Sequence, residues 1–542
     1  MRNNMYFIFI FFLLLSYILP VHLLPWTTFF SEFLAFFSLL FLIPIFFIKN
    51  KKILIPKVAL PFLVVCFIPL LQYFITDQIL FFTTVWTSSL YIFSFFISIV
   101  IGFSLSRETD SLFMSLCITF IIASFVSTLI AFFQWTGLFI GQSWMMSFTG
   151  NRPYGNIGQF NQLSTLLSLG VLSSIYCYER RFINYPSMIF FVGVALFGMA
   201  LTQSRTGWLI IIFSFFIIWL NRDKMILKKS QIITLPILYL TFIVLLPFLT
   251  SLLGSFFNIV SVNSVADRLS SGYLRLDIWK QMYYALLKEP ISGYGWNQTS
   301  IAQSKVIDIY QGYEWISSAH NIFLDILIWC GLPLGLLIGF YIIWFYKKLF
   351  LSVKSKNELI VILMISALGI HSLLEFPLYY SFFLLPLGLF IGIVLSKSDC
   401  GFLKLSKKYL FFIFLGSFPL SYAVFNQYSL ITDNLVEAER VNMNESLEPI
   451  TLPYKLVLFD QYDARARWIA LNPYKKMSGE DWNLAKEMSS LYTIPYDLKK
   501  YAKILALNGQ EEEAKRQLKI LNYTYRRNVT YDELLKKESD QK

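Results

Sequence analysis

His371 and Glu375 stand four residues apart in the run His371-Ser372-Leu373-Leu374-Glu375-Phe376-Pro377-Leu378-Tyr379-Tyr380. If the helix continues, that spacing puts both on one face. A carboxylate within hydrogen-bond reach raises an imidazole's proton affinity, which suits a base that activates a hydroxyl. A polar lock between helices would use the same two residues. Pro377 ends the helix. His320-Asn321 heads a second cluster, with Asp325 further along. His320 could donate to a phosphate, act as a general base or cap a helix. The chain has only three histidines, the third being His22.

Three arginines have polar surroundings in an otherwise apolar chain. Arg152 opens a Gly- and Asn-rich turn that leads into a helix through Asn156, Gln159, Asn161 and Gln162. Those amides exceed what a helix cap needs, and with a helix N-terminus they suit a phosphate or a sugar. Arg205, in Gln203-Ser204-Arg205-Thr206-Gly207, separates two apolar runs with almost no loop. A guanidinium that close to hydrocarbon needs water or an anion, and its planar fork fits phosphate oxygens. Arg275 belongs to Arg268-Leu269-Ser270-Ser271-Gly272-Tyr273-Leu274-Arg275-Leu276-Asp277-Ile278-Trp279. The series Leu274, Ile278, Met282, Leu286 there predicts an amphipathic helix near the membrane interface. The segment Pro290–Trp296 reads as a Gly-rich turn. No Asp-x-Asp, His-x-x-x-His or cysteine cluster offers a metal site, and no phosphate-binding GxxxxGK[ST] loop occurs. An anionic leaving group would therefore be offset by arginine, and the donor would arrive already activated.

The elements that carry these residues are membrane helices. Of 542 residues, 56% are hydrophobic and 55 are Phe; mean hydropathy is +0.59. Runs of roughly 20 apolar residues recur up to about residue 427. We expect about thirteen spans, at 5–21, 28–48, 58–76, 82–103, 111–137, 159–178, 186–203, 206–221, 231–253, 320–346, 358–374, 379–396 and 409–427. The first run lacks a small-residue cleavage site and reads as a retained helix. Basic clusters mark alternate junctions, at Lys49–Lys57, Arg107, Arg180/Arg181, Arg222–Lys229, Lys347–Lys356 and Lys397–Lys408. The positive-inside rule makes these cytoplasmic, which puts the N-terminus inside. All three histidines, the long loop 254–319 and residues 428–542 then fall outside. The net charge is +12, and its placement says more than its sign. The five cysteines lie in or beside apolar runs and read as buried small hydrophobes. Residues 1–427 would form one transmembrane domain. Residues 428–542 would form a small helical domain, in which Tyr501–Ala514 looks like one tetratricopeptide-type helix pair.

Taken together, the sequence resembles the Wzy/WaaL O-antigen ligase superfamily. The likeness rests on Gly155–Gln162, Gln203–Gly207, Arg275–Trp279, Gly293-Tyr294-Gly295-Trp296, His320–Asp325 and His371–Tyr380, in that order along the chain. His371-Ser372…Glu375-Phe376-Pro377-Leu378, with His22-Leu23-Leu24-Pro25-Trp26 and Glu32, is most similar to protein O-oligosaccharyltransferases of the PglL, pilin-glycosylating type. In the O-antigen ligases the histidine motif closes on Gly-x-x-Gly/Thr/Tyr. Gly331 keeps its place here, but Leu334 stands at the last position.

The resemblance implies an all-α, GT-C-like polytopic protein of the bacterial inner membrane, with its C-terminal domain in the periplasm. It implies transfer of a whole glycan from undecaprenyl pyrophosphate to a Ser or Thr hydroxyl of pilin or another periplasmic protein. No cofactor, metal or nucleic acid is implied. On this reading Arg205 and Arg275 clamp the pyrophosphate. His320, His371 and Glu375 are the catalytic candidates, and Arg152, Asn156, Gln159, Asn161, Gln162, Asn321 and Tyr379 complete substrate binding. The C-terminal domain would contact the acceptor protein or cap the active face. An O-antigen ligase or Wzy-type polymerase shares this chemistry with another acceptor. A flippase or transporter would instead put ionisable residues near the bilayer midplane and show inverted repeats.

Overall fold

In lipid a backbone must satisfy its own N–H and C=O groups, which a helix does. The apolar runs accordingly fold as helices. The structure, a computed structural model, describes residues 2–48, 52–76, 81–107, 109–148, 150–254, 274–312, 314–443 and 451–536. Of the motif Arg268–Trp279, the part Arg268–Tyr273 lies outside them.

In chain order the helices begin with α1 (Arg2–Ile18), α2 (Phe29–Leu40), α3 (Pro44–Ile48), α4 (Leu60–Val65), α5 (Ile68–Ile75), α6 (Phe82–Ser106), α7 (Ser111–Thr136), α8 (Phe160–Glu179), α9 (Tyr185–Thr202), α10 (Arg205–Leu220) and α11 (Lys229–Leu253). They continue as α12 (Leu274–Lys288), α13 (Thr299–Val306), α14 (Ile322–Leu351), α15 (Lys356–Ser372), α16 (Ser381–Ser396), α17 (Lys408–Met443), α18 (Asp460–Ala470), α19 (Gly479–Leu491), α20 (Pro495–Leu507), α21 (Glu511–Tyr525) and α22 (Tyr531–Leu535).

Every expected span meets a helix. Two of them are split into separate helices: a turn at Phe41–Ile43 separates α2 from α3, and Pro69 near the start of α5 follows a break after Val65. The span predicted to end at 427 runs on to Met443, because residues 428–443 contain no Gly or Pro to stop it. Among the described residues, eight helices are long and apolar enough to cross a membrane, and Asn4–Ile18, Arg205–Leu220 and Ser381–Ser396 are shorter apolar helices. The chain is an all-α polytopic membrane protein. One element was not foreseen: β1 (Ile53–Pro56) and β2 (Phe402–Leu405) pair antiparallel, with Ile53 opposite Leu405. They join two of the lysine-rich junctions. All five cysteines are buried thiols.

The chain divides into two compact units. The first comprises residues 1–65, 91–271 and 342–415. Its helix ends gather in two groups. In one, the fully buried carboxylate of Glu179 accepts from the backbone N–H groups of Ile226 and Leu227 and from Lys356 Nζ, each at 2.9 Å. Asp110 pairs there with Arg180 at 3.4 Å and Lys397 at 3.2 Å. A buried charge survives only when paired in this way. The second group of ends holds the polar cluster described below.

The second unit comprises residues 66–90, 272–341 and 416–542. Asp460 caps α6, accepting from Phe82 N at 2.9 Å and Thr83 N at 2.8 Å. Helices α20 and α21 flank a turn at Gly509 and share a core of Leu498, Ala502, Leu505, Ala514, Leu518 and Leu521, into which Ile307 inserts. Beside it, Arg465 and Trp468 both donate to Asp497. Lys500 Nζ donates to Ile469 O at 2.8 Å. Burial pushes the Lys500 amine down to about 7, against the pull of Asp497.

Helix α14 is interrupted at Gly331, whose φ is 70° and ψ 175°. Pro333 follows and has no N–H to give. The carbonyls of Ile328 and Trp329 instead accept from Tyr294 N at 2.9 Å and Gly295 N at 3.0 Å, and Leu332 N donates to Pro290 O at 2.7 Å. Gln72 closes the turn, donating to Trp329 O at 2.8 Å and accepting from Trp296 N at 2.9 Å. A Cβ on Gly331 would stand 2.1 Å from Ile291 O. The Pro290–Trp296 turn and Gly331 are thus one device, a break in an apolar helix whose backbone is satisfied by a loop.

Candidate active site

In the first unit the polar cluster is built on the first turns of α8. Asn161 and Gln162 are buried, as is Thr165 one turn on. Asn161 Nδ2 donates to Glu375 Oε1 at 2.9 Å, and Asn161 Oδ1 accepts from Ser204 Oγ at 2.7 Å. Thr165 Oγ1 and His371 Nδ1 lie 2.8 Å apart. Helix α15 ends at Ser372, so Glu375 sits in the following turn, with its N–H still bonded to His371 O at 2.8 Å. The helix on which the one-face expectation depended therefore does not continue to Glu375. Each of the two residues is bridged to α8, His371 through Thr165 and Glu375 through Asn161.

Ser204 also caps α10, accepting from Gly207 N at 3.3 Å. Arg205, the next residue and the first of α10, is partly buried. Gly207 is needed for the approach of α10 to α8, since a Cβ there would lie 2.0 Å from Ser164 Oγ. Arg152 packs over the Phe160 ring at 3.2 Å from its centroid. It donates to Thr202 O at 2.9 Å and Gln203 O at 3.1 Å, the carbonyls that end α9. Asn156 is fully used between its loop and the end of α1: Nδ2 donates to Ile18 O and Trp144 O, and Oδ1 accepts from Met146 N, each at 2.9 Å. His22 Nε2 lies 2.8 Å from Asn156 O. Arg152 and Asn156 therefore shape the turn that presents α8. Gln159 is the partly buried N-cap residue of α8 and makes no side-chain capping bond. Tyr379 lies in the short 3-10 turn Pro377–Tyr379, after Glu375.

Glu32 is the member of this cluster whose weight the motifs understated. It is buried and accepts from Trp26 Nε1 at 2.9 Å, Thr28 Oγ1 at 2.5 Å, Ser381 N at 3.3 Å and the Tyr91 hydroxyl. It joins the start of α2 to α6 and to the turn carrying Tyr379 and Tyr380. The available signal was that Glu32 is the first carboxylate in the chain, inside an apolar helix, where an unsatisfied charge is expensive. Thr165 and Tyr91 gave no such signal.

In the second unit the cluster is local. His320 has φ +55°, the left-handed region, immediately before α14. Asp325 enforces that turn. It accepts from Ala319 N at 2.8 Å, Ser318 Oγ at 2.6 Å and Thr299 Oγ1 at 2.9 Å, and Ser318 Oγ accepts from His320 N at 3.0 Å. Asn321 Oδ1 takes the N–H groups of Phe323 at 3.1 Å and Leu324 at 3.3 Å, so that oxygen serves as a helix cap. Helix α12 forms as expected, burying Ile278 and Met282. Trp279 Nε1 donates to Ala319 O at 2.9 Å, which ties α12 to the residue before His320. Arg275 is one turn earlier on α12 and partly buried.

Both clusters therefore present a partly buried arginine near an imidazole-bearing helix end. Such a set can hold an oxyanion and move a proton. Among the described residues no group of His, Cys, Asp and Glu could hold a metal ion.

Known proteins match the chain along its length. Residues 190–339 match the family described as O-antigen ligase. Residues 359–533 match that described as virulence factor membrane-bound polymerase, C-terminal. Residues 153–177, which hold Asn161, Gln162 and Thr165, match that described as protein glycosylation ligase. The chain is 31% identical over 532 residues to a general O-oligosaccharyltransferase of Acinetobacter baylyi, covering 96% of this chain and 92% of that protein. It is 33% identical over 421 residues to a ComP-specific O-oligosaccharyltransferase of the same organism, covering 77% and 76%. The chain belongs to the O-oligosaccharyltransferase family of membrane glycosyltransferases.

Proposed function

We propose that the protein moves a glycan en bloc from undecaprenyl pyrophosphate to a Ser or Thr hydroxyl of a pilin or another periplasmic protein. The observation that carries this reading is the overlap of residues 153–177, matched as protein glycosylation ligase, with the α8 groups that bond His371 and Glu375. In the reaction the acceptor oxygen bonds to the anomeric carbon as the bond from that carbon to the phosphate oxygen breaks. The hydroxyl proton passes to a base drawn from His320, His371 and Glu375, and the lipid pyrophosphate leaves. Arg205 and Arg275 offset its charge. Gln159, Gln162, Asn321 and Tyr379 complete the polar surroundings of the substrates, while Arg152 and Asn156 act through the turn they hold. A single displacement inverts the anomeric centre; anomer analysis showing retention would exclude it.

In this reading the site faces the periplasm, the N-terminus is cytoplasmic, and residues 428–542 form a periplasmic domain. The charge pattern supports it, because the junctions joined by Asp110 and Glu179 are the lysine- and arginine-rich ones. The O-antigen ligase and membrane polymerase matches favour a second reading, the same displacement with a saccharide acceptor. Intact-protein mass spectrometry of pilin and periplasmic proteins decides between them, in cells carrying the wild type or Arg275→Ala at equal membrane levels. A glycan-sized mass lost in the variant supports protein transfer. Unchanged protein masses with shortened surface polysaccharide support the second reading.

A further inference from the structure

The segment that ends on His320 is anchored, before it gets there, on the C-terminal helices. Ile307 is buried in the core of α20 and α21. Asp308 is paired with Arg516 of α21. Trp315 Nε1 donates to Leu491 O at 3.0 Å, and its ring stands 6.1 Å from that of Tyr492. The Tyr525 hydroxyl of α21 donates to Thr493 O at 2.7 Å. Leu491, Tyr492 and Thr493 form the link between α19 and α20. The Trp315 side chain is thus held by the link between α19 and α20, which Tyr525 of α21 in turn secures.

From Trp315 to His320 the chain has little slack. Gln303 of α13 brackets Trp315, donating to Glu314 O at 2.8 Å and accepting from Ile316 N at 3.0 Å. Ile316 is buried. Ser318 and Ala319 are fixed by Asp325, and His320 then takes a left-handed conformation. A non-glycine residue keeps that conformation only where its surroundings over-determine it. The exposed Ser317 is the one residue between these anchors.

We propose that Trp315 is a positioning residue for His320, through which the C-terminal helices set the geometry of transfer. The proposal rests on His320 acting in the reaction. It assigns the C-terminal helices a part in the chemical step, distinct from acceptor docking. An error of about 1 Å in placing a catalytic group can cost on the order of 100-fold in rate.

The test uses the full-length protein in lipid nanodiscs. Trp315→Phe keeps a ring against Tyr492 and removes only the Nε1 donor. Hydrogen exchange is read on peptides spanning 314–321 and 487–495, and transfer rates are read against acceptor concentration. The expected result is about 10-fold faster exchange at 314–321 and a kcat lower by about 10-fold, with acceptor KM and the exchange of α19 and α20 unchanged. Unchanged exchange at 314–321 overturns the proposal. So does a raised KM at constant kcat, which would make the C-terminal helices a docking surface. If Trp315→Phe accumulates poorly, Tyr525→Phe carries the same test, since it removes the hydroxyl that secures Thr493 in the link holding Trp315. The exchange arm needs no acceptor. A wild-type chain that modifies no protein therefore counts against the functional reading and leaves the coupling to be judged by exchange.

Discussion

Asn161 and Asp325 each organise a cluster that contains a histidine, over very different reaches of chain. Asn161 bonds Glu375, 214 residues away, and Ser204, 43 residues away. Asp325 holds its turn through Ser318 and Ala319, seven and six residues away, with Thr299 at 26. In the first unit the polar groups are buried between helices, so they are part of what holds α8, α10 and α15 together. In the second, a short turn is built around one carboxylate, and the imidazole it presents is partly exposed. In the proposed function the first cluster carries packing and chemistry at once, whereas the second separates them. Substitutions should expose that difference.

The largest effect is expected at His320. His320→Ala should lower transfer by about 100- to 10,000-fold, the range for loss of a general acid–base group. Thermal unfolding in detergent should not move, because Asp325 and Ser318 hold the turn without the imidazole. A matching loss of stability would erase the contrast between the clusters. Next comes Glu375→Ala, which strands the Asn161 amide in a buried site. We expect a stability loss of about 1–3 kcal/mol together with lost transfer, read by unfolding and rate on the same preparation. Glu375→Gln keeps an acceptor for Asn161 and should recover much of the stability but not the rate.

Gly331→Ala sharpens the comparison from the second unit. It forces a Cβ to within 2.1 Å of Ile291 O at a φ of +70°. The strain should cost about 1–3 kcal/mol and speed hydrogen exchange over 290–296, with the α8 contacts of the first unit unaffected. The smallest effect on transfer is electrostatic. Burial holds the Lys500 amine at about 7, against 10.5 for a free lysine. The unfolded chain therefore binds more protons between those values, and stability rises with pH across that window. The penalty is complete below about pH 7 and gone above about 10.5. Exchange protection of α20 should increase from pH 7 to pH 10 after correction for the intrinsic rate, and Lys500→Met should flatten that slope.

The same contrast explains what could be read from sequence. Apolar runs of membrane length fixed the helices, since lipid leaves the backbone few alternatives. Gly331 kept its family spacing, yet its partner turn at Pro290–Trp296 is visible only when the broken helix is seen to need donors and acceptors. The His320 turn was legible as a motif because its bonds are local. The partners of His371 and Glu375 were not, for they arrive from α8 more than 200 residues earlier. The same holds for Glu32 and Ser381, 349 residues apart. Arg152 and Asn156 read as ligands because their types suit phosphate and sugar, and sequence did not show that both also bond backbone groups around the turn before α8. The β1–β2 ribbon was hidden because each strand has four residues and looks like a junction.

The most direct test is reconstitution of the purified protein with undecaprenyl-pyrophosphate-linked glycan and a periplasmic acceptor protein, followed by mass spectrometry of both acceptor and lipid. The account predicts one intact glycan on a Ser or Thr of the acceptor and loss of that product with His320→Ala or Arg275→Ala. An unmodified acceptor accompanied by lengthened lipid-linked glycan would contradict it.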